Sequence, residues 1–121
     1  MDIFCKIING EMPSKIVFED NDLTVIMDAF PQRPGHTLII PKKHYENVLE
    51  MDEEILSKVH AKAKEIISKM ENSIPSFDGC EVVINYGKPQ MVKHFHMHII
   101  PTFKDSKTLN HDEIYKILKG A

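Results

Sequence analysis

The stretch that decides the fold is His94-Phe95-His96-Met97-His98-Ile99-Ile100. Imidazole and apolar side chains alternate along it, and a β-strand sends successive side chains to opposite faces of its sheet. The alternation predicts a strand over residues 92–101, with the three histidines on one face and the residues between them in the core. Same-face neighbours on a strand lie roughly 6.5–7 Å apart, so the three rings can converge on one small ligand or ion.

The segments before this strand also have strand and loop character. Residues 86–90 contain Gly87 and Pro89 and predict a loop, which follows a strand over residues 81–85. Further upstream, the short apolar runs 16–18 and 23–27 flank a polar turn and predict a hairpin. Residues 28–35 hold two prolines and a glycine and predict a loop before a buried strand at residues 37–40.

Two helices complete the predicted elements. Asp52 is a candidate N-cap for a helix of about five turns that stops at residues 72–75. Its apolar positions recur at spacings of three and four: Ile55, Leu56, Val59, Ala63, Ile66, Ile67 and Met70. A short C-terminal helix is predicted after Asn110, with Glu113 in the capping-box position. The order of elements indicates one α+β domain over residues 1–121.

Composition and charge narrow the class of protein. The chain has 121 residues and a formal net charge of −3, which argues against nonspecific binding to nucleic acid. An anionic small substrate still fits, because four lysines lie close to the predicted loops: Lys42, Lys43, Lys88 and Lys93. Cys5 and Cys80 show no disulfide-framework spacing, and neither a secretory signal nor a membrane-spanning apolar run is visible. We expect a cytoplasmic protein with no membrane association.

Three alternating histidines fit two kinds of chemistry. Imidazole nitrogens can hold a metal, or one neutral ring can attack a phosphoryl group while its neighbours donate hydrogen bonds. Spacing alone leaves both open. Amide and cationic donors stand directly before the strand and favour phosphoryl chemistry: Asn85, Gly87, Lys88 and Gln90.

The run HFHMHII resembles the signature of the histidine-triad (HIT) family. The resemblance extends to DIFCKIINGEMPSKIVFED at residues 2–20 and to PQRPGHTLIIPKKH at residues 31–44. It is strongest for the branch of histidine-triad nucleotide-binding proteins, which are nucleoside phosphoramidases and related nucleotidyl hydrolases. The resemblance implies a HIT-like fold with an antiparallel sheet of about five strands, a bound purine nucleotide such as AMP or GMP, and a homodimer.

The same resemblance implies roles for individual residues. His96 would attack the α-phosphorus and form a transient nucleotidyl-histidine, while the backbone carbonyl of His94 orients its ring. His98 and His36 would contact the phosphate, and Asp28 would hydrogen-bond the ribose hydroxyls. Asn85 and Gln90 would touch the sugar or phosphate side. Five apolar residues would form the base pocket: Ile3, Phe4, Ile7, Ile26 and Leu38.

The sequence departs from the family pattern in two places. The loop before the triad is about two residues shorter than usual, and Met91 stands where a small or hydroxyl residue normally helps the leaving group. The backbone amide of Met91 would have to serve instead. Some bacterial relatives bind zinc through a Cys-x-x-Cys pair and two histidines, and the matching positions here are Asp2, Cys5, His44 and His94. The resemblance therefore leaves zinc open without requiring any cofactor.

Three other functions remain compatible with the residues. One is cleavage of dinucleoside polyphosphates, as in the fragile-histidine-triad branch, which the stretch 92–94 also resembles. The second is nucleotide binding with vestigial catalysis, which Met91 and the short loop favour. The third is a metalloprotein in which the three histidines jointly hold zinc or iron.

Overall fold

A computed structural model describes residues 1–105 and 109–120, so the predicted domain range 1–121 extends slightly beyond the described residues. The elements in chain order are α1 (Ile3–Ile8), β1 (Ile16–Glu19), β2 (Leu23–Met27), β3 (Thr37–Pro41), a 3-10 turn (Val48–Glu50), α2 (Glu53–Ser73), β4 (Phe77–Ile84), β5 (Met97–Phe103) and α3 (His111–Lys119). The five strands form one antiparallel sheet in the order β1-β2-β3-β5-β4. The α+β prediction, with one long and one short C-terminal helix, is confirmed.

The sheet is covered on both faces, which explains why every residue of β2 and β3 is buried. On one face, α2 packs through Val59, Ala63, Ile66 and Met70 onto a core that includes Phe95, Met97 and Ile99. On the other face, Phe4 and Ile7 of α1 pack on Ile26, Leu38 and Ile40. Burial of each large apolar side chain contributes about 1.5–3 kcal/mol. The second cluster is the smaller, and it lies on the histidine side of the sheet.

Both predicted helix starts are confirmed by their caps. The Asp52 side chain accepts a hydrogen bond from the backbone N–H of Glu54, and α2 ends at Ser73. Asn110 and Glu113 form the predicted capping box at the start of α3. Within the described residues, no helix combines the length and the apolar character that crossing a bilayer requires.

The bounds of the last two strands correct the prediction. β5 begins at Met97, so His94 and His96 precede the strand that was predicted over residues 92–101. Pro41 has no N–H for a further ladder bond, and the Phe95 N–H donates to the Tyr45 carbonyl at 2.7 Å instead. The alternation survives this change, because Phe95, Met97 and Ile99 all lie in the core. β4 starts at residue 77 rather than 81, across a register shift between Phe77 and Gly79.

The sequence did not indicate α1. This helix of six residues is too short for a repeated apolar pattern, and it starts at an Asp2 N-cap whose side chain accepts from the Cys5 N–H at 2.8 Å. Asp2 is therefore held in place although it is the second residue of the chain. α1 brings Cys5 and two core residues to the histidine side of the sheet.

Candidate active site

A cavity of about 880 Å³ opens on the face of the sheet that carries α1. Apolar side chains line one part of it: Ile3, Phe4, Ile7, Ile26 and Leu38. Asp28, His96 and His98 line another part. An apolar pocket with a few convergent polar groups is the usual form of a small-molecule site, and this volume falls in the range that such sites occupy.

His96 is held in one tautomer by the backbone. Its Nδ1 lies 2.9 Å from the His94 carbonyl oxygen, which can only accept, so Nδ1 carries the proton and donates. The ring is buried at 8% exposure, and its edge packs on Phe4 with ring centroids 4.9 Å apart. Burial lowers the pKa of His96 below its usual value, and the hydrogen bond to the His94 carbonyl opposes this only in part. The neutral ring therefore keeps a lone pair on Nε2.

His36 and His98 form an ordered pair beside it. The backbone N–H of Gln32 donates to His36 Nδ1 at 3.1 Å, so the proton of a neutral His36 lies on Nε2. Nε2 is 2.9 Å from His98 Nδ1 and 3.4 Å from the Asp28 carboxylate. The Asn85 amide lies 3.4 Å from the remaining nitrogen of His98, and an amide flip would present its oxygen there.

The pKa of both histidines of this pair is below the ordinary value. Burial lowers the pKa of His36, and the charge of Asp28 opposes this only in part. Burial, followed by the positive potentials of His96 and His36, lowers the pKa of His98 to about 4. At neutral pH these rings are uncharged hydrogen-bonding groups beside the cavity.

A second cluster of donors lies outside the lining of the cavity. The donor atoms of Asp2, Cys5, His44 and His94 all lie within 4.8 Å of one another. From Cys5 Sγ, the distance is 3.4 Å to Asp2 Oδ2, 3.7 Å to His44 Nδ1 and 3.4 Å to His94 Nδ1. The Nδ1 atoms of His44 and His94 are 3.3 Å apart. From Asp2 Oδ2, the distance is 2.9 Å to His44 Nδ1 and 3.3 Å to His94 Nδ1. Zinc bonds of about 2.0–2.3 Å in a tetrahedron give ligand separations of about 3.3–3.6 Å. Four of the six separations fall in this range, and the two outside it, 2.9 and 3.7 Å, both involve the partly exposed His44. The donor types and most of their spacing therefore fit zinc.

The tautomer of His94 adds to this fit. Its Nε2 lies 2.8 Å from the Pro41 carbonyl oxygen, so Nε2 carries a proton and donates, which leaves Nδ1 as the nitrogen that can bind a metal. Nδ1 lies 3.3 Å from the Asp2 carboxylate, and this contact is favourable when a proton or a cation lies between the two atoms. Burial raises the pKa of Asp2, but the hydrogen bonds from Cys5 and the interaction with the His94 ring outweigh this effect and lower the pKa. Burial and the neighbouring carboxylate raise the pKa of the Cys5 thiol.

A third set of atoms, on Asp28, His36 and His98, is also close enough to share an ion. Here the Gln32 N–H bond keeps the His36 proton on Nε2, the nitrogen that would have to bind the metal. These three groups already bond to one another without an ion, whereas the contact between Asp2 and His94 needs a proton or a cation between the two atoms. The cluster around Cys5 is the better metal site.

The structure places most of the residues selected from sequence for catalysis or nucleotide binding together, but four of them do not line the cavity: His36, His94, Asn85 and Gln90. The buried rings of His36 and His94 contact the lining residues His98 and His96 instead. Gln90 does not line the cavity; its buried side-chain amide donates to the carbonyls of Glu46 and Val92 at 2.7 and 3.0 Å. Asn85 reaches His98 but is not among the lining residues. Met91 lines the mouth with 87% exposure, and Ile3 lines the wall with 43% exposure.

Other lining residues were not selected from sequence. The main ones are Met12, Lys15, Phe30 and His111. Phe30 is 89% exposed, and its position in the Pro-rich loop 28–35 was the available signal. His111 belongs to α3, and no local pattern connects it to residues about 80 positions earlier.

Comparison with known proteins agrees with this arrangement. The sequence matches the HIT domain family over residues 9–105. An uncharacterized HIT-like protein of Methanocaldococcus jannaschii is 40% identical, over 99% of this chain and 100% of its own. A zinc-bound histidine triad family protein from Mycobacterium smegmatis shares the fold with a TM-score of 0.86 and 30% identity, over 97% of this chain and 89% of its own. A hypothetical histidine triad nucleotide-binding protein from Sulfolobus tokodaii has a TM-score of 0.82 and 35% identity, over 96% and 88%.

Proposed function

The chain belongs to the HIT family of nucleotide-binding hydrolases and transferases, and from this premise we propose that it hydrolyses purine nucleoside 5′-phosphoramidates. The observation that carries the proposal is the orientation of His96. A buried neutral imidazole, whose Nδ1 proton is held by the His94 carbonyl, keeps Nε2 as a nucleophile at the wall of a mainly apolar cavity.

The proposed reaction has two steps. Nε2 of His96 bonds to the α-phosphorus, the bond from phosphorus to the leaving amine breaks, and the amine takes a proton from solvent at the mouth beside Met91. Water then attacks the nucleotidyl-histidine, the bond from phosphorus to Nε2 breaks, the water releases one proton to solvent, and the nucleotide leaves with neutral His96 restored. His98, which lines the cavity, would contact the phosphate oxygens in both steps. The expected phosphate contact of His36 is not supported, because His36 is buried outside the lining; its Nε2 instead lies 2.9 Å from His98 Nδ1 and would hold that ring. Nδ1 of His96 would continue to donate to the His94 carbonyl.

The cavity supports a nucleotide as the substrate. The base would lie against Phe4, Ile7 and Leu38, and the Asp28 carboxylate would accept from the ribose hydroxyls. The backbone amide of Met91 would stand on the leaving-group side. Gln90 supports the loop that carries Met91 rather than the substrate, since its amide is bonded to backbone carbonyls.

The test compares wild type, His96→Ala and His60→Ala on adenosine 5′-phosphoramidate, with AMP binding followed by calorimetry. His60 is an exposed residue of α2 and serves as the matched histidine control. We expect His96→Ala to abolish turnover while AMP still binds, and His60→Ala to behave as wild type. Turnover that persists in His96→Ala contradicts the proposed nucleophile.

Two alternatives are separated by the same assay. If wild type cleaves a dinucleoside polyphosphate and spares the phosphoramidate, the substrate class changes and His96 keeps its role. If it binds AMP and cleaves neither, the protein is a nucleotide-binding protein with vestigial catalysis. Met91 favours this second outcome, because its side chain cannot protonate a leaving amine.

We further propose that Asp2, Cys5, His44 and His94 hold zinc, as their near-tetrahedral spacing supports. When bound, zinc would supply a structural cross-link between α1 and the segments that carry His44 and His94. Metal analysis of protein purified without a histidine tag should find equimolar zinc in wild type and in Cys80→Ala, and none in Cys5→Ala. Cys80 is the control because it is a free, partly buried thiol on β4, outside the donor set. Metal-free wild type from zinc-supplemented cells would contradict the site.

Pairing with a second copy is the remaining proposal. β4 is an edge strand of eight residues; Val82 within it is 48% exposed, and Tyr86, two residues after its end, is 54% exposed. An unpaired edge of this length is a ready surface for another strand. Sedimentation equilibrium should give a dimer for wild type and a monomer for Val82→Lys. A monomeric wild type at micromolar concentration would contradict this proposal.

A further inference from the structure

The ring of His111, the first residue of α3, bridges two backbone groups of the loop between β2 and β3. Gly35 donates its N–H to Nδ1 at 2.9 Å, and Nε2 lies 2.9 Å from the Asp28 carbonyl oxygen. An N–H can only donate and a carbonyl can only accept, so the ring is neutral, with its proton on Nε2. The imidazole thus satisfies both groups at once, as a backbone amide would.

The two bridged residues border groups of the candidate site. Asp28 carries the carboxylate at the cavity, and Gly35 directly precedes His36. One backbone hydrogen bond joins the ends of the loop, from the Asp28 N–H to the His36 carbonyl at 2.9 Å, and the Asp28 carboxylate also lies 3.4 Å from His36 Nε2. His111 adds a further link between the two ends. The Asp28 carboxylate accepts from the Phe30 N–H at 2.9 Å, so its direction depends on the shape of this loop.

α3 is packed closely enough to transmit its position to the loop. A Cβ built on Gly35 would lie 3.2 Å from Ile114 Cδ1, so the helix touches the loop backbone directly. Lys15, which also lines the cavity, pairs with Asp112 at 2.6 Å. His111 itself lines the cavity, yet both ring nitrogens are engaged by the backbone. Its hydrogen-bonding capacity is therefore used on the loop.

We infer that His111 is a positioning residue for nucleotide binding: it fixes the Asp28 carboxylate so that this group can accept from the ribose hydroxyls. The inference rests on the proposed function, since it needs a nucleotide in the cavity. It extends the site to the C-terminal helix, beyond residue 105 where the match to the HIT domain family ends.

The experiment compares adenosine 5′-phosphoramidate with its 2′,3′-dideoxy counterpart in wild type, His111→Leu, His111→Gln and the control His60→Leu. A carboxylate that accepts from hydroxyls should make the wild type prefer the ribose substrate. In His111→Leu we expect KM for the ribose substrate to rise about tenfold with kcat little changed, and the preference to be lost. His111→Gln restores a donor for the Asp28 carbonyl and should recover part of the preference.

A double-mutant cycle shows whether His111 acts through Asp28. Asp28→Asn should lose the ribose preference, and adding His111→Leu to it should cause little further loss. Losses that multiply in the double variant would overturn the inference. So would an equal loss for both substrates in His111→Leu, because that is the result of general destabilisation.

Hydrogen exchange at the Gly35 amide needs no ligand and separates the two proposals. The amide should be protected in wild type and exchange faster in His111→Leu. Equal exchange would overturn the inference even if nucleotide binding is intact. If wild type binds no nucleotide while Gly35 is protected, the proposed function fails, the positioning role fails with it, and the hydrogen bond alone stands.

Discussion

Replacing Gly35 by Ala should be one of the most destabilising single-methyl changes in this chain. Gly35 has φ +89°, and an added Cβ would lie 2.9 Å from Pro101 Cγ and 3.2 Å from Ile114 Cδ1. The left-handed backbone costs a residue other than glycine roughly 1–2 kcal/mol, and overpacking adds about 1–3 kcal/mol. Neither neighbour can move freely, since one belongs to β5 and the other to α3. Gly35→Ala should therefore lose about 2–5 kcal/mol of unfolding free energy.

Gly10→Ala is the matched control. Gly10 has a similar φ of +79°, but a Cβ there would meet nothing within 4 Å, so only the backbone cost of roughly 1–2 kcal/mol remains. Urea unfolding followed by circular dichroism at pH 7 measures both variants. The difference between them, about 1–3 kcal/mol, reports the contact between the loop and α3. Equal losses in the two variants would refute the view that α3 packs closely against the loop.

Three other variants test separate parts of the molecule. Because the pKa of His98 is about 4 in the folded chain and near 6.5 when unfolded, the unfolded state takes up the proton first as pH falls below 6.5, and stability is lost down to about pH 4. The full pKa shift is worth about 3 kcal/mol of unfolding free energy, and about 2 kcal/mol after a discount for partial exposure. In urea titrations, wild type should therefore lose about 2 kcal/mol more unfolding free energy than His98→Gln between pH 7 and pH 4.5. Equal losses in the two proteins would show that the His98 ring is not desolvated. Asn110→Ala removes the capping box of α3 and should cost about 1 kcal/mol in the same assay, whereas no change would mean that α3 docks without its cap. Met91→Ser supplies a hydroxyl at the mouth and should raise kcat for the phosphoramidate about tenfold, and an unchanged kcat would place the slow step elsewhere.

The sequence was most informative where local rules decide the structure. Alternation identified Phe95, Met97 and Ile99 as core, and capping patterns at Asp52 and Asn110 located two helix starts. The strand at residues 23–27 was predicted with its bounds, but the bounds of the last two strands were wrong because pairing is not local. The ladder on β5 ends where Pro41 of another strand lacks an N–H, and no property of residues 92–96 reveals that.

The residues of the candidate site also divide into those that local sequence patterns identify and those whose role depends on distant segments. Alternation identified the three histidines at positions 94, 96 and 98, and resemblance to the family supplied His36 and Asp28. The tautomer of a ring depends on the backbone group it meets, such as the Gln32 N–H on His36, and the alternation does not reveal that group. His111 was missed for this reason, since its partners at positions 28 and 35 are distant in the chain. Gln90 shows the reverse error: an amide close to the triad in sequence is engaged by two carbonyls and does not line the cavity.

His94 belongs to the donor cluster around Cys5 and also orients His96, and this links metal binding to the proposed chemistry. The His94 ring presents Nδ1 to the Asp2 and Cys5 donors, while its carbonyl holds the proton of His96. Phe4 precedes Cys5 on α1 and packs edge-on against both rings, at 5.9 Å from His94 and 4.9 Å from His96. A metal bound to Cys5 and His94 would therefore fix the position of the apolar wall relative to the nucleophile, without touching the substrate. Loss of the metal should then weaken nucleotide binding and turnover together, whereas loss of the His96 ring affects turnover alone.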